Sequence, residues 1–123
     1  MPNVFKDQYK FMKACGQTVD EFNSKQYGLY INLIAEEVSE LNGAISQGDR
    51  IEQLDALIDI LVVTVGAIHS AGYNAEGAWR EVMDTNFAKI DKETGMVRKR
   101  EDGKILKPVG WTPPNLGPFL TKQ

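Results

Sequence analysis

The feature that most restricts the fold of this chain is an apolar run, LDALIDILVVTVGAI, at positions 54–68. A helix over 51–71 with this composition is apolar on almost every side, so other parts of the protein must cover it. The run is shorter than the roughly 20 residues that span a bilayer. It also contains two acids, Asp55 and Asp59. Carboxylates in a buried helix require something that neutralises them.

A second helical pattern precedes this run and predicts an antiparallel helix pair. Apolar residues recur at spacings of three and four within 27–46, as they do in an amphipathic helix. The connection SQGDR contains Gly48, which can adopt a positive φ, and Asp49, which can cap the next helix. A connection this short favours antiparallel neighbours.

The remaining helices and the C-terminal segment complete the predicted architecture. Two more helices are expected over about 4–15 and 75–90, so the helical core covers about 4–90. In the extension, residues 91–123, Asp102-Gly103 predicts a hairpin, and four of the five prolines predict an irregular tail. We expect one all-α domain over 1–123, an antiparallel helix bundle whose small core is completed by oligomerisation.

Composition and charge argue against several classes of function. A net charge of -3 indicates neither a nucleic-acid partner nor a membrane-surface partner. A single cysteine, Cys15, and a single histidine, His69, cannot form a disulfide framework or a Cys/His zinc site. The N-terminal residues contain no apolar signal core. We therefore expect a cytoplasmic protein.

The acids of the two long helices lie in or beside their apolar faces. At about 100° per residue, Asp55 and Asp59 are about 40° apart on the helix wheel and share one stripe. In the preceding helix, Glu37 falls about 40° from Leu33, inside the apolar stripe, and Glu40 lies at its edge. An antiparallel pair therefore directs several carboxylates into one space.

Several like charges in one partly buried space need either protonation or cations. No basic residue lies in the interior of either helix, and a cluster of oxygen ligands suits a hard divalent cation, Mg²⁺ with Mn²⁺ as the alternative. Two acids have a simpler explanation as well. Glu36 can face solvent, and Asp55 can be an acid that interacts favourably with the helix dipole.

Two motifs carry a resemblance to a known family. EEVSE (36–40), followed after a turn by DALIDILVV (55–63), resembles the all-α NTP pyrophosphatase superfamily, which includes MazG proteins, dimeric dUTPases and phosphoribosyl-ATP pyrophosphohydrolases. Its signature is an EExxE helix paired with a helix that carries ExxD just before an apolar run. The tail REDGKILKPVGWTPPNL (100–116) is also similar to the extension of MazG-like members. The implied fold is a MazG-like helix bundle.

The resemblance implies roles for particular acids. Glu37 and Glu40 match the two metal ligands of the first helix, and Asp59 matches the acid before the apolar run. Glu36 matches the first acid of EExxE, which is a second-metal ligand or positions water. The chain departs from the pattern at Ala56, where the family has Glu, so Asp55 is expected to replace it.

Basic and aromatic residues in the last third of the chain are candidates for substrate binding. Asn86 and Lys89 of the NFAK segment look like the phosphate-contacting pair of the family. Since they are three residues apart, we expect them to share one face of the last helix. Lys104 can close over phosphates or face solvent, and Trp111 can stack on a base or pack against the helices.

The implied activity is Mg²⁺-dependent hydrolysis of a (deoxy)nucleoside triphosphate to a monophosphate and pyrophosphate. A metal-activated water attacks the α-phosphorus, and Glu36 or Glu37 positions the water or takes its proton. One alternative is a phosphoribosyl-ATP pyrophosphohydrolase. Another is a non-catalytic helical dimerisation module. A homodimer or a homotetramer is expected in each case.

Overall fold

The computed structural model describes residues 1–122 and is built from α-helices. The helices are α1 (Val4–Ala14), α2 (Ser24–Gln47), α3 (Arg50–Ser70) and α4 (Ala75–Phe87), and a short 3₁₀ helix follows at Gly117–Phe119. The predicted all-α class is confirmed. Over residues 1–122 the chain forms isolated β-bridges and no longer strand.

Side-chain caps determine where the two long helices begin. The side chain of Asn23 accepts a hydrogen bond from the N–H of Gln26, so α2 begins three residues before the predicted start at about Tyr27. Asp49 accepts from the N–H of Glu52 and caps α3, as predicted. Both caps satisfy N–H groups that a helix leaves unpaired in its first turn.

The connection between α2 and α3 is the predicted glycine turn. Gly48 has a φ of +67°, in the left-handed region that a residue without Cβ adopts at little cost. Its N–H donates to the carbonyl of Ile45 (3.1 Å), and the N–H of Asp49 donates to that of Ala44 (3.0 Å). These bonds close the end of α2 and let α3 return beside it.

The described chain forms two compact units. The first contains residues 1–75 and 119–122, in which α3 packs against both α2 and α1. Its core is formed around Met12, Val19, Tyr30 and Ala67. Gly66 lets α3 approach α2 closely, because a Cβ at this position would overlap the ring of Tyr30. The assignment of residues 1–123 to a single domain stays a prediction.

Polar contacts secure the last residues of the first unit. His69 is buried, with Nε2 2.8 Å from the carbonyl oxygen of Phe5 and Nδ1 3.1 Å from Nζ of Lys122. The same ammonium lies 3.8 Å from the carboxylate of Asp20. The carbonyl of Phe119 accepts from the N–H of Asn74 (2.9 Å). Residues 119–122 thus form part of this unit.

The second unit contains residues 76–118, and its helix is shorter than predicted. α4 ends at Phe87 rather than near Ile90, because the N–H of Ile90 donates to the carbonyl of Phe87 (3.0 Å) in a tighter turn. Ile90 then forms a bridge with Val97. Further on, the chain reverses at Gly103 (φ +86°), where the N–H of Arg100 donates to the carbonyl of Lys104 (2.8 Å).

The N-terminal half of α3 presents an exposed apolar face. Leu54, Ile58 and Leu61 are 63%, 51% and 42% exposed, whereas Ala56 is buried on the opposite side of the helix. The sequence predicted a helix covered on most sides. Residues 1–122 of one chain leave this face uncovered.

Within residues 1–122, no single helix is both long and apolar enough to cross a membrane. α3 and α4, taken together as a bent pair, reach that length and composition, as the core helices of soluble proteins also do.

Candidate active site

The antiparallel α2–α3 pair brings together the acids that the sequence singled out. Glu37 and Asp59 lie eleven residues before and after Gly48. Positions at equal distance from the turn of a helical hairpin face each other at the same height along the two axes. Glu40 and Asp55 lie closer to the turn on the same two helices. The equal distances of Glu37 and Asp59 from Gly48 in sequence therefore indicate that these two acids lie near each other.

Glu37 is the centre of this acidic cluster. Burial raises the pKa of the Glu37 carboxyl above its ordinary value of 4.5, and the neighbouring acids raise it further, first Glu40 and then Asp59 and Asp55. The other three predicted metal ligands therefore all lie near enough to act on the Glu37 carboxyl. The cause is the one expected for like charges in a partly desolvated space.

One oxygen of Glu37 has an unusual environment. Oε2 is shielded from solvent and has no hydrogen-bond partner among the described residues. A buried carboxylate oxygen without a donor costs free energy, and a bound cation would remove that cost. This atom is the feature of the structure that fits a positively charged ligand.

The other acids of the cluster differ in their exposure to solvent. Asp59 is half-buried, and Glu36, Glu40 and Asp55 are exposed. In the described part of the chain, no three His, Cys, Asp or Glu side chains already have the close arrangement of a metal-binding set. The donors are all carboxylate oxygens, which suits Mg²⁺ or Mn²⁺. Their assignment as metal ligands stays a prediction.

The second unit brings together three of the predicted substrate-binding residues. Lys89 was predicted to lie on the last helix, but α4 ends before it, at Phe87. The Nζ of Lys89 nevertheless donates to Oδ1 of Asn86 (3.1 Å). The same ammonium lies 5.1 Å from the ring centroid of Trp111. The indole N–H of Trp111 donates to the carbonyl of Thr85 (2.7 Å), which ties the ring to α4.

The fourth predicted residue, Lys104, belongs to a turn. Its N–H donates to the Asp102 carboxylate (3.0 Å), and this bond is the largest of the contacts that hold the pKa of Asp102 below its usual range. Lys104 is not among the described residues that line the cleft beside Trp111. Lys107 is, with its ammonium 4.9 Å from the centroid of the indole ring. A substrate role for Lys104 stays a prediction.

The acidic motifs lie within a segment that matches a known family. The family model described as phosphoribosyl-ATP pyrophosphohydrolase matches residues 9–86, more than half of the chain. The protein belongs to the phosphoribosyl-ATP pyrophosphohydrolase family. This family is part of the all-α NTP pyrophosphatase, or MazG-like, superfamily, so the predicted superfamily is confirmed. No curated protein matches the chain.

Membership of the phosphoribosyl-ATP pyrophosphohydrolase family makes this chain a hydrolase that acts on phosphoric anhydrides. Enzymes of the family typically depend on a divalent metal. The match ends at Asn86, the penultimate residue of α4. Lys89, Lys107 and Trp111 therefore lie in a segment that the family model does not cover.

Sequence reasoning missed two features of the candidate site. The first is Lys107, which was not distinguished from the other basic residues of the extension. The one available signal was its position four residues before Trp111. This spacing alone does not show that the two side chains share a cleft, because the conformation of the backbone between them is not known from sequence. The second is that Glu37 is the centre of the acidic cluster. Its position on the helical wheel indicated that it lies in the apolar stripe, but not that the other acids surround it.

Proposed function

We propose that this protein is a Mg²⁺-dependent nucleoside triphosphate pyrophosphohydrolase, which converts a (deoxy)nucleoside triphosphate and water to the monophosphate and pyrophosphate. The observation that supports it is the shielded Oε2 of Glu37, which lacks a partner among residues 1–122 and is surrounded by three more acids. A polyanionic substrate enters such a place only together with cations. Mn²⁺ is a possible substitute for Mg²⁺.

Each residue of the proposed site has a defined role. Glu37, Glu40, Asp55 and Asp59 would hold the metal ion, which would supply charge neutralisation and a lowered pKa for a bound water. Glu36 or Glu37 orients the attacking water by accepting a hydrogen bond and takes its proton.

The α–β phosphoanhydride bond is the one that breaks, and pyrophosphate leaves with its electron pair. Asn86 and Lys89 bind phosphate oxygens as donor and point charge. Lys104 and Trp111 bind other parts of the substrate.

A second candidate substrate is phosphoribosyl-ATP, which the description of the matching family favours. The same bond breaks in this reaction, since pyrophosphate leaves and phosphoribosyl-AMP remains. The acids then have the same roles, and the two proposals differ in the group attached to the α-phosphate.

The experiment is an assay of the purified protein with Mg²⁺ or Mn²⁺ against a panel of NTPs, dNTPs, dUTP and phosphoribosyl-ATP, with products separated by chromatography. Monophosphate with pyrophosphate supports α-phosphorus attack, and the preferred compound names the substrate. Asp59→Asn should abolish this turnover and leave the helical circular dichroism unchanged. No turnover of any compound would contradict the proposal and favour a non-catalytic dimerisation module.

We also propose that a second copy of the chain covers the exposed face of α3, giving a homodimer or a homotetramer. An Ile or Leu side chain contributes about 1.5–3 kcal/mol when fully buried, and Leu54, Ile58 and Leu61 each retain about half of their surface for such burial. Asp55 lies on the neighbouring stripe of α3, so the acids would stand at the edge of the interface. Sedimentation equilibrium at several concentrations tests this, and a monomer throughout would contradict it.

A further inference from the structure

Two lysines share one aromatic ring in the second unit. The ammonium groups of Lys107 and Lys89 lie 4.9 Å and 5.1 Å from the ring centroid of Trp111. Both distances are within the range of a cation–π interaction. The ring is held by one hydrogen bond, from its indole N–H to the carbonyl of Thr85 (2.7 Å), and the backbone N–H of Trp111 donates to the carbonyl of Pro108 (3.1 Å). The two charges are therefore placed by a fixed platform.

Neither ammonium forms an ion pair with a carboxylate of residues 1–122. The acids that line the same cleft have other partners: Asp91 is paired with Arg98 (3.4 Å), Asp84 with Arg80 (3.9 Å), and Glu81 accepts from the N–H of Asn115 (2.7 Å). Two like charges close to one ring repel each other, and an anion bound beside them would offset that repulsion. The cleft has a volume of about 1200 Å³, which is ample for a short polyphosphate.

We infer that Lys89 and Lys107 form a binding site for a phosphate-bearing anion, with Trp111 as the platform that positions both. Lysine binds phosphate as a point charge, and two such charges suit a ligand with more than one phosphate group. Lys107 belongs to the extension, beyond the segment of residues 9–86 that matches the family. The new element of the site is therefore Lys107, which adds a second charge to the phosphate contact proposed for Lys89.

Two sources share this chemistry, the polyphosphate group of a bound nucleotide and free pyrophosphate. The inference rests on the proposed function in that Lys89 and Trp111 belong to its substrate site, but the site contains no metal ligand and binds its anion without turnover. Binding measured with a chelator present therefore tests the site alone, whether or not the acidic cluster is catalytic.

The experiment is isothermal titration of inorganic pyrophosphate into the full-length protein, with a chelator and at low salt. Lys107→Ala should weaken the affinity about three- to fivefold, as expected for the loss of one favourable ion contact. Lys99→Ala is the matched control, since it removes the same charge from the same C-terminal extension and Lys99 does not line the cleft. The control should stay within about twofold of the wild type, which accounts for general electrostatic attraction.

A second titration separates the two sources. If ATP competes with pyrophosphate in the wild-type protein, the site receives the phosphates of a nucleotide; if both bind together, it receives free pyrophosphate. Either outcome supports the site when Lys107→Ala weakens the binding. Equal affinities for Lys107→Ala and Lys99→Ala, or no pyrophosphate binding by the wild type, would overturn the inference.

Discussion

Replacement of Glu37 by glutamine should make the metal-free protein more stable at neutral pH. Glu37 lies among Glu40, Asp55 and Asp59, and burial adds to their effect on its carboxyl. Glutamine has nearly the same shape and removes the charge. The change relieves repulsion that exists in the folded chain and is weak in the unfolded chain.

The size of the effect follows from the number of neighbours. An exposed pair of like charges on a helical surface costs about 0.2–0.5 kcal/mol, so three neighbouring acids give about 1 kcal/mol. The repulsion does not exceed this value, because solvent screens the charge of a side chain that is only half-buried. For a chain of this length, about 1 kcal/mol corresponds to a rise of roughly 3–5 °C in Tm.

The pH dependence has a definite sign. Because the folded-state pKa of Glu37 is raised above 4.5, folded wild-type protein keeps a proton that the unfolded chain has lost. Its stability therefore falls as the pH rises from about 4.5 through the folded pKa of Glu37. The advantage of Glu37→Gln should be absent below about pH 4.5, grow over that interval and remain constant above it.

Thermal unfolding followed by circular dichroism, with a chelator present, measures this difference. A rise in ionic strength from about 0.01 M to about 1 M shortens the Debye length from about 30 Å to about 3 Å. The difference in Tm between Glu37→Gln and the wild type should then become smaller. Glu36→Gln is the control, because it removes the same charge from an exposed neighbouring position. A Glu37→Gln protein that is less stable than the wild type at neutral pH, or that differs equally at all pH values, would refute the reasoning.

Two further predictions concern packing and assembly. Gly66→Ala should lower the free energy of unfolding by about 1–3 kcal/mol, because the added methyl group meets the ring of buried Tyr30; Gly43→Ala, in open space on α2, should raise it by about 0.5–1 kcal/mol. Denaturant titration of the two variants measures these free energies, and a change in the same direction for both variants would contradict the reasoning. Ile58→Asp should convert the proposed oligomer to a monomer, since it introduces a charge into the exposed apolar face of α3. Analytical ultracentrifugation measures this, and an unchanged sedimentation coefficient would show that the interface lies elsewhere.

The sequence predicted the α2–α3 pair well because its signals are local. Gly48 and Asp49 occur at consecutive positions, and the turn and the cap that they form involve only residues within five positions of them. The apolar period of the flanking helices is also readable from short windows. The acidic cluster followed from the same information, since Glu37 and Asp59 flank this turn.

The features that the sequence did not predict depend on distant residues. The ring of Trp111 is held by Thr85, 26 positions away, and this contact brings Lys107 rather than Lys104 to the cleft. The early end of α4 at Phe87 likewise belongs to a turn and bridge that pair Ile90 with Val97. Local patterns contain no information about such pairings.

The short α2–α3 connection also bears on the order in which the protein folds. Contacts between residues close in sequence form with little loss of chain entropy, so a helical hairpin with a two-residue turn is expected to form early. During synthesis, α2 and α3 are complete as soon as residue 70 has emerged, well before Trp111 exists. The acids would then be assembled on a nascent chain that still lacks Lys89 and Lys107. For that interval the hairpin bears its like charges close together, and a divalent cation bound there would favour its closure.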